Sequence, residues 1–132
     1  VVATLKEFLE EYSIQTGIQV HFVSNLDGEP NLSPIAETQM VRIVQEALAN
    51  VRKHARAGAV QLRLDACSGH LSVLVTDDGV GFDLTPERGH YGLLTMQERA
   101  LNVGGAVTIN SSPGQGTQVE LWLPLFEKSY AM

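Results

Sequence analysis

The sequence predicts an α+β fold: a two-layer sandwich with helices on one face of a mixed, mostly antiparallel sheet. Three observations lead there. Two pairs of alternating apolar stretches, 60–66 with 71–75 and 106–111 with 117–124, are each joined by a turn of Ser, Gly or Pro. Segments of helical period alternate with these pairs along the chain. An apolar fraction of 44% with 18% charged residues fits one ordinary globular core and argues against disorder.

The elements follow in order. Leu5, Phe8, Leu9 and Tyr12 share a helical face, with Lys6, Glu7, Glu10 and Glu11 off it, so 4–15 reads as an amphipathic helix that Gly17 stops. Ile18, Val20 and Phe22 alternate with Gln19 and His21, the pattern of a half-buried strand. Asn25, Asp27, Gly28, Pro30 and Asn31 make 24–33 a loop. Ser33 followed by Pro34 is an N-cap with proline at the first helical position. That helix is expected to run to about Ala57 and end at Gly58, burying Ile43, Val44, Ala47, Leu48 and Val51. A hairpin turning at Ser68-Gly69 comes next, then a stretch over 77–92 rich in glycine and charge. A helix from Leu93 to about Val103 ends at Gly104-Gly105, and two strands flank Ser112-Pro113-Gly114-Gln115-Gly116. The helix-free face of such a sheet must be polar or covered.

At 132 residues the chain is long enough for one domain and its core. Nine basic against fifteen acidic residues give a net charge of −6, which disfavours a broad electrostatic grip on nucleic acid. An anionic ligand must then be held by local groups. Cys67 is the one cysteine, so no internal disulfide forms. No apolar run reaches the length of a membrane span and no signal peptide is visible. The opening Val1-Val2, without an initiator methionine, reads as a piece of a longer protein.

Four stretches carry chemistry. On the long helix, Arg42, Glu46, Asn50 and His54 recur every four residues, with Lys53 beside them, so they form one polar stripe. A solvated helix face is the ordinary explanation of such a stripe, but a mid-helix Asn is a poor helix former, and Ala47 and Ala49 leave room for a ligand. A carboxamide oxygen is a hard ligand suited to Mg²⁺, and Lys and His suit phosphate. Asp77-Asp78-Gly79-Val80-Gly81 follows a strand. It is either a tight turn or an aspartate placed to accept from an exocyclic amine, with glycines admitting a flat base. Gly89-His90-Tyr91-Gly92-Leu93 enters a helix, where backbone N–H groups suit phosphate. Gly114-Gln115-Gly116-Thr117 is by itself a glycine-rich hairpin turn.

In this order the four stretches resemble the ATP-binding catalytic domain of sensor histidine kinases, in the superfamily that includes DNA gyrase, mismatch-repair ATPases and a heat-shock chaperone. Gln45 to Ala55 is similar to the N box, Asp77-x-Gly79-x-Gly81 to the G1 box, and His90 to Ala100 to the G2 region. Lys53-His54-Ala55 and the Gly92-Leu93…Met96…Glu98-Arg99-Ala100 stretch resemble the nitrate/nitrite-sensor subfamily, whose partners are response regulators with a helix-turn-helix output domain. The resemblance covers nearly the whole chain. It implies a Bergerat-type fold, with residues 1–132 one catalytic domain that binds Mg·ATP. Asn50 would hold Mg²⁺; Asp77, supported by Thr117, would take the adenine amine; Lys53 and His54 would reach phosphates. Gly79, Gly81, His90, Tyr91, Gly92 and Leu93 would complete the nucleotide site, with 83–91 as a lid that includes Arg88. Glu46 lies where the superfamily's ATPases keep a water-activating base.

A histidine kinase also needs a phosphoacceptor histidine on a dimerisation helix, followed by an acidic residue. The four histidines stand before Phe22, Ala55, Leu71 and Tyr91, so none fits. The resemblance therefore implies an acceptor domain elsewhere in a homodimeric parent, a sensor whose catalytic part is cytoplasmic and whose remainder is membrane-bound. Neither a P-loop nor a protein-kinase catalytic loop is present. Two other readings stand beside this one: a stand-alone ATPase or anti-sigma-factor serine kinase of the same superfamily, and a non-catalytic interaction module that has lost nucleotide.

Overall fold

The computed structural model describes residues 1–80, 92–112 and 114–126, without the side chains of His54 and Ala55. Its elements are α1 (Val2–Thr16), β1 (Gln19–Ser24), α2 (Pro34–Asn50), β2 (Ala59–Cys67), β3 (His70–Asp77), α3 (Leu93–Leu101), β4 (Ala106–Ser111) and β5 (Thr117–Pro124). The strands form one sheet in the order β1-β2-β3-β5-β4. β1 runs parallel to β2, and the other pairings are antiparallel. This is the mixed, mostly antiparallel sandwich that the patterning predicts.

Local chemistry fixes most boundaries. Gly17, at φ 75°, closes α1 by donating its N–H to the Ser13 carbonyl at 2.9 Å. The Ser33 hydroxyl accepts from the Ala36 N–H at 3.1 Å, capping α2 above Pro34. Ser68 and Gly69 both take positive φ, 52° and 79°, as a two-residue hairpin turn with native twist requires.

α2 departs from expectation at its end. The helix does not continue regularly to Ala57 and stop at Gly58. It passes at Val51–Ala55 into a π-helical turn, and Arg56 ends it in the left-handed region at φ 51°. The Tyr12 hydroxyl donates to the Leu48 carbonyl at 2.8 Å just before this change. A side chain engaging the helical carbonyl ladder at that point is a recognised cause of such irregularity. Burial raises the Tyr12 hydroxyl to about 12, so it stays a donor at any ordinary pH.

The core lies between the helices and the sheet. Leu5, Leu9 and Tyr12 of α1, Met40, Ile43, Val44, Ala47 and Leu48 of α2, and Met96 and Ala100 of α3 close over Val60, Leu62, Leu64, Leu71, Val73, Val75, Val119, Leu121 and Leu123. Each larger side chain so buried contributes about 1.5–3 kcal/mol. The opposite face of the sheet is largely polar: Gln61, Arg63, Gln118 and Glu120 alternate with the core residues, and the apolar Leu74 and Trp122 at its centre and Val23 on β1 are half-buried. Ser72 donates to Glu120 there, and Arg63 pairs with Asp65 at 2.9 Å.

Candidate functional site

The site is built where the C-terminal end of α2, the end of β3, the start of α3 and the start of β5 converge. Asn50, Asp77, Leu93 and Thr117 line one cleft, whose apolar walls are Ala47, Val51, Val75 and Val119. Four of the residues singled out in the sequence, drawn from all four stretches, are thus brought together.

Asp77 ends β3 directly opposite Thr117 of β5, and both side chains are 7% exposed. A carboxylate at such depth needs donors. The Gly79 N–H donates to Asp77 Oδ1 at 2.8 Å. Burial pushes the Asp77 carboxyl above its ordinary value; the Gly79 N–H pulls it back, the neighbouring Asp78 charge raises it, and the Thr117 N–H lowers it. Asp78 does different work. Its Oδ1 accepts from the N–H groups of Gly58 at 2.9 Å and Ala59 at 3.1 Å, tying the loop before β2 to the end of β3. The two adjacent carboxylates therefore split into one facing the cleft and one holding the backbone around it. Sequence reasoning missed this division, because only the β2–β3 register places Gly58 beside Asp78.

Glycine has a steric reason at two positions. Gly116 has φ 72°, and a Cβ there would meet the Asp77 carbonyl oxygen at 2.5 Å, so β5 and the end of β3 approach closely only with glycine. Gly92 has φ 69° and is the N-cap of α3, and a Cβ there would overlap the Glu46 carboxylate. Glu46 is thus packed against the start of α3, a contact between two sequence motifs 46 positions apart by number.

The polar stripe of α2 needs correction. Arg42 is exposed and Glu46 half-buried, but Asn50 is only 6% exposed. The stripe descends beneath α3 and the sheet ends, so Asn50 is a buried cleft residue and not part of a solvated face. Beyond it the π-helical turn breaks the four-residue recurrence, since a π turn closes at five. Lys53 sits on that turn with an exposed side chain. The side chain of His54, and all of Gly81, His90, Tyr91 and the predicted lid 83–91 with Arg88, lie outside the described residues.

The G2-like stretch has a packing explanation as well. Met96 and Ala100 are core residues, and Arg99 donates to Gln39 Oε1 at 3.1 Å, fastening α3 to α2. Sequence reasoning also missed Ser111, whose hydroxyl oxygen lies 2.7 Å from that of Thr117. No sequence signal marks it; the β4–β5 register does. Among the described residues, no group of three His, Cys, Asp or Glu is placed to hold a metal. A metal here would rest on the Asn50 carboxamide and on oxygens brought by a ligand, a donor set that suits Mg²⁺, which keeps few protein ligands. No helix of the described residues is long and apolar enough to cross a membrane.

Comparison with known proteins bears on this geometry. Residues 35–127 match the family described as histidine kinase-, DNA gyrase B-, and HSP90-like ATPase. The chain is 34% identical over 126 residues to the signal transduction histidine-protein kinase/phosphatase DegS of Brevibacillus brevis, covering 95% of this chain and 32% of that protein. It is 35% identical over 123 residues to the sensor histidine kinase LiaS of Bacillus subtilis, covering 92% of this chain and 33% of that one. The chain thus spans about a third of the length of these relatives. Among solved structures, the histidine kinase domain of the Erythrobacter litoralis EL346 blue-light activated kinase superposes with a TM-score of 0.76 at 25% identity, over 93% of this chain and 60% of that one. The mycobacterial sensor histidine kinase MprB shares the fold at a TM-score of 0.68 and 22% identity, covering 94% and 93%. Matched over most of its length and built as its relatives are, the chain belongs to the histidine kinase-, DNA gyrase B- and HSP90-like ATPase family.

Proposed function

We propose that residues 1–132 are the catalytic domain of a sensor histidine kinase, which binds Mg·ATP and donates the γ-phosphoryl group to a histidine of the parent's dimerisation domain. The observation that carries this reading is the cleft itself: a buried Asp77, held by backbone N–H groups, shares apolar walls with Asn50 and Thr117. A flat base entering between Val75, Val119 and Leu93 would present its exocyclic amine to the Asp77 carboxylate. Asn50 would hold Mg²⁺, which when bound neutralises phosphate charge. Lys53 would reach the phosphates from the π-helical turn, and the N-terminus of α3 would offer them backbone N–H groups. In the transfer, the bond from the γ-phosphorus to the β–γ bridging oxygen breaks with its electrons leaving on ADP. A nitrogen–phosphorus bond forms on the acceptor imidazole, and in this reading Glu46, at the position of the superfamily's water-activating base, would take the imidazole proton. Such chemistry needs mainly positioning and charge neutralisation.

The same reading supplies the wider assignments. The parent is a homodimer, its phosphohistidine passes the group to a response regulator with a helix-turn-helix output, and this domain lies on the cytoplasmic side of a membrane-bound sensor. Lys53-His54-Ala55 and the Glu98-Arg99-Ala100 stretch support a nitrate/nitrite-sensor-like subfamily.

Titration with ATP and GTP tests the site. Asp77→Asn is expected to weaken ATP binding roughly ten- to a hundredfold, since a hydrogen bond to a charged group contributes about 1.5–3 kcal/mol. GTP should bind the unmodified chain poorly, because its C6 carbonyl would face the carboxylate; equal affinities for the two would refute the assignment. ATP affinity should also fall on acidification earlier than an exposed aspartate would dictate, because burial raises the Asp77 carboxyl. Folding stability moves the other way. A raised carboxyl favours the folded state most when protonated, and that contribution is lost as pH rises through the raised value.

Asn50→Ala tests the metal site. It should abolish the Mg²⁺ dependence of nucleotide binding, and thermal unfolding should show some loss of stability because a buried amide is removed. Intact Mg²⁺ dependence in the folded variant would make Asn50 a packing residue alone.

A further inference from the structure

We propose that Ser111 is a positioning residue that sets the purine selectivity of the cleft by fixing the direction of the Thr117 hydroxyl; the inference rests on the nucleotide reading above. β4 and β5 place Ser111 opposite Thr117, and the two hydroxyl oxygens are 2.7 Å apart. Ser111 Oγ also donates to the Gly116 carbonyl oxygen at 3.3 Å. A hydroxyl carries one hydrogen and two lone pairs. In the proposed arrangement Ser111 gives its hydrogen to the Gly116 carbonyl, which can only accept, and the hydrogen between the two hydroxyls comes from Thr117. Thr117 Oγ1 then turns only lone pairs toward the cleft.

The end of this relay is itself held in place. Gly116 sits at φ 72° with no room for a Cβ against the Asp77 carbonyl, and directly precedes Thr117, which pairs with Asp77 across the β3–β5 ladder. Two acceptors, the Asp77 carboxylate and Thr117 Oγ1, therefore face the same cleft. A purine with an amine at C6 offers two hydrogens to such a pair, directly or through a water. A purine with a carbonyl at C6 has no hydrogen on that substituent, its donor being N1–H one ring position away, and sets the C6 lone pairs against the lone pairs of this pair. Were the Thr117 hydrogen free to rotate, Thr117 would donate to that carbonyl and the discrimination would weaken. Ser111 removes that freedom without lining the apolar cleft itself, so it acts through Thr117.

The test is titration of the chain with ATP and with inosine triphosphate, whose base carries a carbonyl at C6. The unmodified chain should prefer ATP. Ser111→Ala should shrink the ATP-to-inosine-triphosphate affinity ratio about three- to tenfold, the size of one hydrogen bond. Ser111→Thr, which keeps the hydroxyl, should preserve the ratio. Ser111→Cys fills the same space with a weak donor and should reproduce the alanine result if the alanine variant does not fold. In a Thr117→Val background, Ser111→Ala should leave the ratio unchanged, because no hydroxyl remains to be aimed. If Ser111→Ala weakens both nucleotides equally and the ratio stands, Ser111 is structural and the proposal fails. If the unmodified chain binds neither nucleotide, or Asp77→Asn leaves ATP affinity unaltered, the nucleotide reading fails instead.

Discussion

Incubated with γ-labelled ATP and Mg²⁺, the 132-residue chain is expected to bind nucleotide yet incorporate essentially no acid-labile phosphate. Addition of a dimerisation domain carrying an acceptor histidine should bring labelling of that histidine toward stoichiometry. The reason is geometric. In-line attack needs the nucleophile about 3–3.5 Å from the phosphorus and aligned with the leaving oxygen. His70 stands at the far end of β3, seven residues from Asp77, which at strand rise is roughly 23 Å. Its Nδ1 lies 3.1 Å from the Ser68 carbonyl, at the hairpin turn. His21 alternates with Val20 and Phe22 on β1 and stays exposed, so it projects from the sheet face opposite the core and the cleft. On the proposed reading His54 and His90 meet the phosphates from the side, as ligands and not as nucleophiles. Mapping the label decides the matter: stoichiometric phosphohistidine anywhere within residues 1–132 would overturn the two-part mechanism.

Gly92→Ala should cost roughly 2–4 kcal/mol in chemical denaturation, and nucleotide affinity should fall with it. Two physical costs add. A non-glycine residue in the left-handed region is strained by about 1–2 kcal/mol. Forcing a methyl group into the space held by the Glu46 carboxylate costs about 1–3 kcal/mol more. The double variant Gly92→Ala/Glu46→Ala separates them, because removing the carboxylate relieves the overlap and leaves the backbone strain. It should recover the second cost relative to the sum of the single variants, a coupling readable in a double-mutant cycle. Strict additivity would mean that Glu46 and Gly92 do not touch, and that the start of α3 is set without α2. Recovery would identify Glu46 as the side chain that fixes the distance between the two helices at the start of α3.

Much of this was legible in the sequence because its signals are local. The Ser33-Pro34 start, the Gly17 stop and the Ser68-Gly69 turn each depend on the conformational limits of one or two residues, and the structure follows each of them. The apolar faces of α1 and α2 were equally readable, because helical period assigns a face without knowing what it meets. Asp77, Thr117 and Asn50 were reachable through motif resemblance, and the cleft gathers them together.

What the sequence by itself determined is therefore the list of elements, their amphipathic faces and the residues that the proposed function assigns to an anion, a metal and an amine. Tertiary structure decided the rest, because the remaining facts are relations between segments far apart in the chain. Periodicity placed Asn50 on a polar stripe; only the packing of α2 beneath α3 and the sheet ends buries it. Asp77 and Asp78 are adjacent and chemically alike, yet the β3 pleat and the β2 register send one into the cleft and the other to the Gly58 and Ala59 N–H groups. The π-helical turn arises where a tyrosine 36 residues earlier engages the Leu48 carbonyl. Ser111 acquires a role solely because β4 lies beside β5 in a register that sets it opposite Thr117. A local pattern limits what one residue's backbone and side chain can do, whereas a contact between distant residues exists only once the chain has closed on itself.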